Sequence, residues 1–320
     1  MLVVGMAERP AIAKIVVCAL AILVSCGLRA EAQDPGLRPQ TLAVWSGEAV
    51  ALGANHELFG RFSAKTDRWQ RLGFLRGETV SVSGDGALLC RLSDVGEMVE
   101  CVGDGGQRRK VRLPSSDLVS IAVDGSTLWV ASDAVGENAK VLVCHSDLRE
   151  RAPGWQCSSQ EFLRTPTEQR EFAELYPVEK ELFNEFRLVS GTGKAYLVFK
   201  LRDRIVSLDV RGHWKRVPWV SPRTRLNDEV TVSSGPHLPA LRVEDAAVLG
   251  NGSLGLLLGV TRFDGRSGQY SAGKAWMVID SNGRVLNRGA LDEAPAAMAA
   301  SGSTLWFVGA SGWLRVLEAR

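Results

Sequence analysis

From residue 44 onward, short apolar runs recur along the chain, each cut off by a glycine-bearing turn and followed by a second run rich in Leu, Trp and Val. The copies are VWSGEAVALG from Val44, VSGDGALLCRL from Val82, VDGSTLWVAS from Val123, VSGTGKAYLVF from Val189, VLGNGSLGLLL from Val248 and AASGSTLWFVG from Ala299. Each reads as two strands joined by a tight hairpin, because glycine reaches the positive φ of such turns without steric cost. The aligned turn glycines are Gly47, Gly84, Gly125, Gly191, Gly250 and Gly302, and the string GSTLW occurs twice, at 125–129 and 302–306.

A second pattern follows the first: an apolar strand end, a polar turn, and a strand beginning near an aromatic or aliphatic residue. It is read at Phe62–Trp69, Leu208–Trp214 and Ile279–Val285. Together the two patterns supply four short strands per repeat, here called A to D. That predicts an all-β fold, a single β-propeller of about six four-stranded blades, with a short helical insertion. The GSTLW copies resemble the short repeats of sensor-type propellers, in which a Gly-x-x-Leu-Trp-Val stretch forms the second strand. That resemblance spans about ten residues per copy; it implies the class and carries no function. The sixth copy has A near 296–300, B near 304–309 and C near 313–318, and then the sequence ends. Gln33–Gln40, with two prolines, makes a poor closing strand, so the last blade should have three strands or close on a less regular segment.

The spacing of the glycines locates extra chain. Residues 159–185 fall between D of blade 3 and A of blade 4, 218–243 between D of blade 4 and A of blade 5, and 261–273 between B and C of blade 5. D-to-A and B-to-C connections emerge on one face of a propeller, so all three insertions belong to one side, over blades 3 to 5. Thr165-Pro166-Thr167-Glu168 has the cap, first-turn proline and glutamate of a helix start, and Phe172, Leu175, Leu182 and Phe183 should pack against the blades. Such a helix either covers a seam between blades or walls a pocket. Loops on a rigid scaffold carry binding, which makes Trp219, Arg223, Arg225, His237, Arg262, Asp264, Arg266 and Tyr270 the ligand-binding candidates. Arginine with aromatics suits a sugar, a carboxylate or a peptide. Trp129 and Trp306, at equivalent B-strand positions, read as packing between blades.

Composition adds a compartment. Ile15–Val24 is wholly apolar and follows Arg9 and Lys14, too short to span a bilayer and shaped like a secretory signal. The expected domains are therefore a signal over 1–32, a linker over 33–40 and the propeller over 41–320. Ala30-Glu31-Ala32 offers one cleavage site; Leu23-Val24-Ser25-Cys26 resembles a lipobox, which would acylate Cys26 and give the only expected membrane anchorage. Outside the signal four cysteines remain, and the exported setting favours disulfides Cys90–Cys101 and Cys144–Cys157 over metal. The net charge of +2 offers no reason to expect nucleic acid.

Catalytic signatures are weak. GTGKA at 191–195 lacks phosphate-loop spacing, FDGRSG at 263–268 lacks alternating carboxylates for calcium, and of His56, His145, His213 and His237 only the first and last would reach the inserted face. No cofactor or metal is expected. The reading is a non-catalytic binding or scaffold protein of the bacterial envelope, its partner an envelope protein or glycan. The alternative is a hydrolase or lyase acting on a glycan or small molecule at the propeller axis, which would need three converging carboxylates or arginines there. Intact-mass measurement of the exported protein decides the processing: an unmodified chain from Gln33 excludes the lipoprotein, and an acylated chain from Cys26 excludes cleavage after Ala32.

Overall fold

The computed structural model describes residues 38–61, 69–72, 78–93, 97–133, 140–150, 154–174, 180, 183–219, 241–264 and 269–319. The signal, both cleavage sites and Cys26 lie outside them. The described strands form six antiparallel sheets, each a run of consecutive neighbours, arranged as a β-propeller. Blade 1 is β1 (Pro39–Trp45), β2 (Glu48–Gly53), β3 (Leu58–Arg61) and β4 (Gln70–Arg71); blade 2 is β5 (Thr79–Gly84), β6 (Leu88–Ser93), β7 (Met98–Gly103) and β8 (Arg108–Arg112). Blade 3 is β9 (Leu118–Asp124), β10 (Thr127–Ser132), β11 (Lys140–Asp147) and β12 (Gln156–Glu161); after the helix α1 (Pro166–Glu174), blade 4 is β13 (Phe186–Gly191), β14 (Lys194–Phe199), β15 (Ile205–Asp209) and β16 (Trp214–Val217). Blade 5 is β17 (Leu241–Val248), β18 (Leu254–Asp264), β19 (Gln269–Ile279) and β20 (Val285–Leu291), and blade 6 has β21 (Pro295–Ser301), β22 (Thr304–Gly309) and β23 (Leu314–Glu318). Among the described residues the last blade is three-stranded, and β1 begins at Pro39, two residues before the expected start of the propeller.

Each seam between blades has its own hydrophobic cluster. Trp129 packs with Leu188, Leu197 and Phe199 between blades 3 and 4, and Val198 with Leu256 and Met277 between 4 and 5. Leu42, Val44 and Phe59 meet Ala297 and Val308 between blades 1 and 6, which closes the ring. Trp129 and Trp306 both face the following blade, as their equivalent positions imply. Both expected disulfides are present, Cys90–Cys101 joining paired positions of β6 and β7 and Cys144–Cys157 those of β11 and β12. Cys90, Cys101 and Cys144 all belong to the blade 2–3 cluster, so both crosslinks brace one seam; each closes a loop worth roughly 2 to 3 kcal/mol in the chain-entropy model.

The outer strands add a second tie. Where an outer strand begins near tryptophan, its indole N–H donates to the preceding blade: Trp69 to Gly312 O (2.6 Å), Trp155 to Arg112 O (2.9 Å) and Trp214 to Ser158 Oγ (2.8 Å). The C–D turns use aspartate. Asp209 Oδ1 accepts from the amides of Arg211 and His213, and Asp280 Oδ1 from those of Asn282 and Arg284, with Gly212 and Gly283 at positive φ. The polar-turn pattern at 208–214 and 279–285 is therefore a shared turn; that at 62–69 lies outside the described residues except Trp69.

The A–B turns correct the glycine alignment. Positive φ falls on Gly47, Gly125 and Gly302 as aligned, but in blades 2, 4 and 5 on Gly86, Gly193 and Gly252. Blades 3 and 6 turn on Gly-Ser with only the glycine at positive φ, as a II′ turn requires. Blades 1 and 4 turn on Ser46-Gly47 and Thr192-Gly193, both residues positive as in I′. Gly84, Gly191 and Gly250 serve close packing instead: a Cβ on Gly84 would stand 2.5 Å from Val44 O, and one on Gly191 2.4 Å from Val248 Cγ1. Gly191→Ala should therefore destabilise the protein by about 1–3 kcal/mol through overpacking against a stiff β-branched neighbour. Urea melts should show most of that loss recovered in Gly191→Ala/Val248→Ala relative to Val248→Ala.

Candidate functional site

On the face of the D–A and B–C connections the helix is where the sequence places it. Thr165 N–H donates to Glu168 Oε2 (2.8 Å) and Glu168 N–H to Thr165 Oγ1 (3.2 Å), the reciprocal cap. The same Glu168 is buried and takes Arg202 Nε on Oε1 (2.9 Å) and Arg204 Nη2 on Oε2 (2.8 Å). Arg202 also donates to Asn184 Oδ1 and to the carbonyls of Phe162 and Leu163. Arg202 and Arg204 sit at the B–C turn of blade 4, so this network fastens the helix onto that turn. Phe183 is buried and meets Phe172 edge-on at 5.3 Å, with the Arg164 guanidinium 3.3 Å above the Phe172 ring. Leu175 and Leu182 lie outside the described residues. Here the described part of the insertion covers the scaffold, and its buried carboxylate, Glu168, is spent on anchoring.

Trp219 is also inward. It follows β16 closely and is 5% exposed in the blade 4–5 cluster with Val217, Val243 and Ile279, so it packs the seam and is not a surface group. Its place beside a polar insertion hid that role. Arg223, Arg225, His237 and Arg266 lie outside the described residues. The third insertion is strand, not loop: β18 and β19 stay paired from Val260↔Gly273 to Asp264↔Gln269, with Arg262 opposite Ser271 and Phe263 opposite Tyr270. Pairing to β17 stops at Val260 and pairing to β20 stops at Lys274, so beyond those points a two-stranded ribbon continues without lateral neighbours among the described residues. Its base is fixed by the Lys274–Glu244 ion pair (3.5 Å), for which Gly259 leaves room. His56 sits at the B–C turn of blade 1 on this face, its Nδ1 3.2 Å from Thr79 O. His145 lies at the other end of blade 3, 4.8 Å from the Trp129 ring, and burial lowers its pKa and keeps it neutral.

The main cavity is elsewhere, on the axis. A half-open cavity of about 280 Å³ lies between the inner strands and their A–B turns, lined in part by the layer of Leu42, Val82, Ile121, Leu188, Ala246 and Met298. The inner strands share a device that single-strand patterns do not reveal. Five of the six, all but β13, carry a one-residue bulge near their start, at Gln40, Val80, Val119, Glu244 and Ala296. The position after the bulge is Thr41, Ser81, Ser120, Asp245 and Ala297, and Arg187 holds the equivalent place in β13, counted back from the turn. Ser81 Oγ accepts the amide of Ile121 (3.3 Å) and Asp245 Oδ2 that of Met298 (2.8 Å), two equivalent ties across seams. Arg187 Nε lies 2.9 Å from Asp245 Oδ1, too poorly aligned for a good hydrogen bond. Neither residue was a candidate from sequence, since equivalence around the ring only shows once the strands are paired. Among the described residues no three acidic, histidine or cysteine groups converge as a metal site would require.

No protein-family model matches the chain, and no curated protein does. Solved structures with a similar arrangement include a streptogramin B lyase (8% identity, 89% of this chain and 94% of that one, TM-score 0.48). They also include a catalytically inactive virginiamycin B lyase of Staphylococcus aureus (13%, 89% and 82%, TM-score 0.46) and BamB of Moraxella catarrhalis (9%, 86% and 81%, TM-score 0.39). At these values the assignment to the propeller class rests on the blades themselves.

The Glu168 network makes a pH prediction. Burial raises the Glu168 pKa, but hydrogen bonds from Arg202 and the Thr165 amide, with the Arg202 and Arg204 charges, outweigh it and hold the carboxyl below its usual 4.5. A folded pKa below the unfolded one stabilises the fold fully above the unfolded value and loses that contribution as pH falls through the folded one. Glu168→Gln keeps the cap acceptor yet strands two buried guanidinium groups, and should cost about 3 kcal/mol at pH 7. Urea melts should show the gap between wild type and variant narrowing as pH falls below 4.5.

Proposed function

We propose that this is a non-catalytic extracytoplasmic binding protein of the bacterial envelope, which engages an envelope protein or glycan through the face over blades 3 to 5. The observation that carries this reading is the β18–β19 ribbon. A propeller blade gains nothing from strands that run past their neighbours, and an isolated two-stranded ribbon is marginal in water. Chain extended beyond its own sheet, with no lateral pairing among the described residues, is suited to a second molecule. Arg262, Asp264 and Tyr270 belong to this element and Arg266 to the same insertion, with Arg223, Arg225 and His237 in the neighbouring one. Two disulfides support an oxidising compartment, with the signal read from residues 1–32. No described helix is long and apolar enough to cross a membrane.

Replacing residues 261–272 with an Asn-Gly turn should leave the melting temperature within about 2 °C of wild type, because the ribbon makes no lateral pairs among the described residues. The same variant should lose the partner that cross-links to wild type in envelope extracts. Recovery of every partner in equal amount would remove the proposal.

A further inference from the structure

The ribbon leaves the axial cavity unexplained, and the cavity opens among the A–B turns, at the opposite end of the blades. Its charges are unevenly placed. Arg187 is the only cation among its described lining residues, and Asp85 and Asp124 are the carboxylates. Arg187 lies at the inner end and is internally neutralised by Asp245, whose oxygens already accept the amides of Ala246 and Met298. The guanidinium Nη groups donate to no described residue, and Ser190, also on the lining, has a buried Oγ without a partner among the described residues. A buried hydroxyl without a partner and a guanidinium edge open to the cavity favour a ligand or water that supplies an acceptor.

The two lining carboxylates belong to the turn end. Asp85 Oδ1 accepts the amides of Ala87 and Leu88, and Asp124 Oδ2 that of Gly193 at 2.6 Å. The second oxygen of each accepts no hydrogen bond from a described group. With the Arg187–Asp245 pair neutral, these two charges leave the cavity net negative, which disfavours an anion and favours a cation near the turns. Between the two ends the walls combine aliphatic side chains with Ser83 and Ser190. Arg187 and the level of Asp124 are four positions apart on equivalent strands, about 13 Å at the strand rise, and the Arg187 side chain takes up part of that length.

We infer that the axial cavity is a binding site for a small primary amine. Its ammonium lies between Asp85 and Asp124, its short aliphatic stem along Leu42, Val82, Ile121 and Leu188, and a neutral hydrogen-bond acceptor at its far end on Arg187. The site is independent of the ribbon face and stands or falls without it.

The probe is 6-aminohexanamide, titrated into the ¹⁵N-labelled mature protein alongside hexylamine (ammonium only), hexanamide (acceptor only) and 6-aminohexanoate (anionic inner end). The expected result is saturable shifts of the Gly191, Gly193, Gly250 and Gly302 amides, with 6-aminohexanamide at least about tenfold tighter than the other three. Asp85→Asn/Asp124→Asn keeps the side-chain carbonyls that accept the turn amides, and should weaken the probe about tenfold with the remaining spectrum unchanged. Arg187→Lys should abolish the preference for 6-aminohexanamide over hexylamine. No saturable shift below about 10 mM, shifts away from the axis, or unaltered affinity in the double variant would overturn the site. Tighter binding of 6-aminohexanoate than of the amide would overturn the neutral inner end.

Discussion

Closing a ring of six blades, the last of them three-stranded among the described residues, is the constraint on which the rest of this structure depends. Blade 6 has three described strands, all its own, so no described backbone pairing within one sheet sews blades 1 and 6 together. What holds them is side-chain burial, Leu42, Val44 and Phe59 against Ala297 and Val308, and an indole hydrogen bond from Trp69 to Gly312 O. The other seams use the same two means, an apolar cluster and, on two of them, a tryptophan reaching back to the preceding blade. Uniform seams explain why the sequence repeats its apolar hairpins more faithfully than its turns.

The bulges tune this arrangement. A one-residue bulge bends an inner strand and raises its twist, and here it also turns one side chain outward, which accounts for the exposed Val80 and Val119. The next residue is then free to address the neighbouring blade, as Ser81 and Asp245 do. β13 alone runs without a bulge, and it is the strand that carries Arg187. A regular strand at this place, beside a bulged one bearing Asp245, brings a cation and an anion together at the axis where the other blades place small or neutral groups.

Much of the architecture was legible because it rests on local chemistry. The Gly-Ser and Asp-turn signals, the reciprocal cap of α1 and the two short-range disulfides each need only residues close in sequence. The errors came where one residue type serves two ends. Gly84 and Gly191 look like turn glycines but do not supply the positive φ of either turn: they make room for Val44 O and Val248, contacts about forty residues or more away that spacing cannot reveal. Trp219 likewise stands at the head of the arginine-bearing insertion in sequence yet packs into a seam, because β16 ends just before it and aims it inward. The ribbon of β18 and β19 reads as an inserted loop in sequence, since among the described residues its strands have no lateral neighbours to impose a one-sided apolar pattern.

The two ends of the blades are therefore under different physical demands. At the B–C and D–A end three connections are long, and α1 is held by Glu168, which brings two arginines of blade 4 under one carboxylate, and by Phe172 against Phe183. Glu168, Arg202 and Arg204 are consumed there by attachment, while β18 and β19 continue past their lateral neighbours among the described residues. At the A–B end, turns are short and glycines let backbones approach closely, as in Gly250 N–H to Gly302 O at 2.7 Å. That closeness draws the A–B turns together around the half-open axial cavity of about 280 Å³, so one end of the ring is built from short contacts between turns and the other from long connections anchored by side chains.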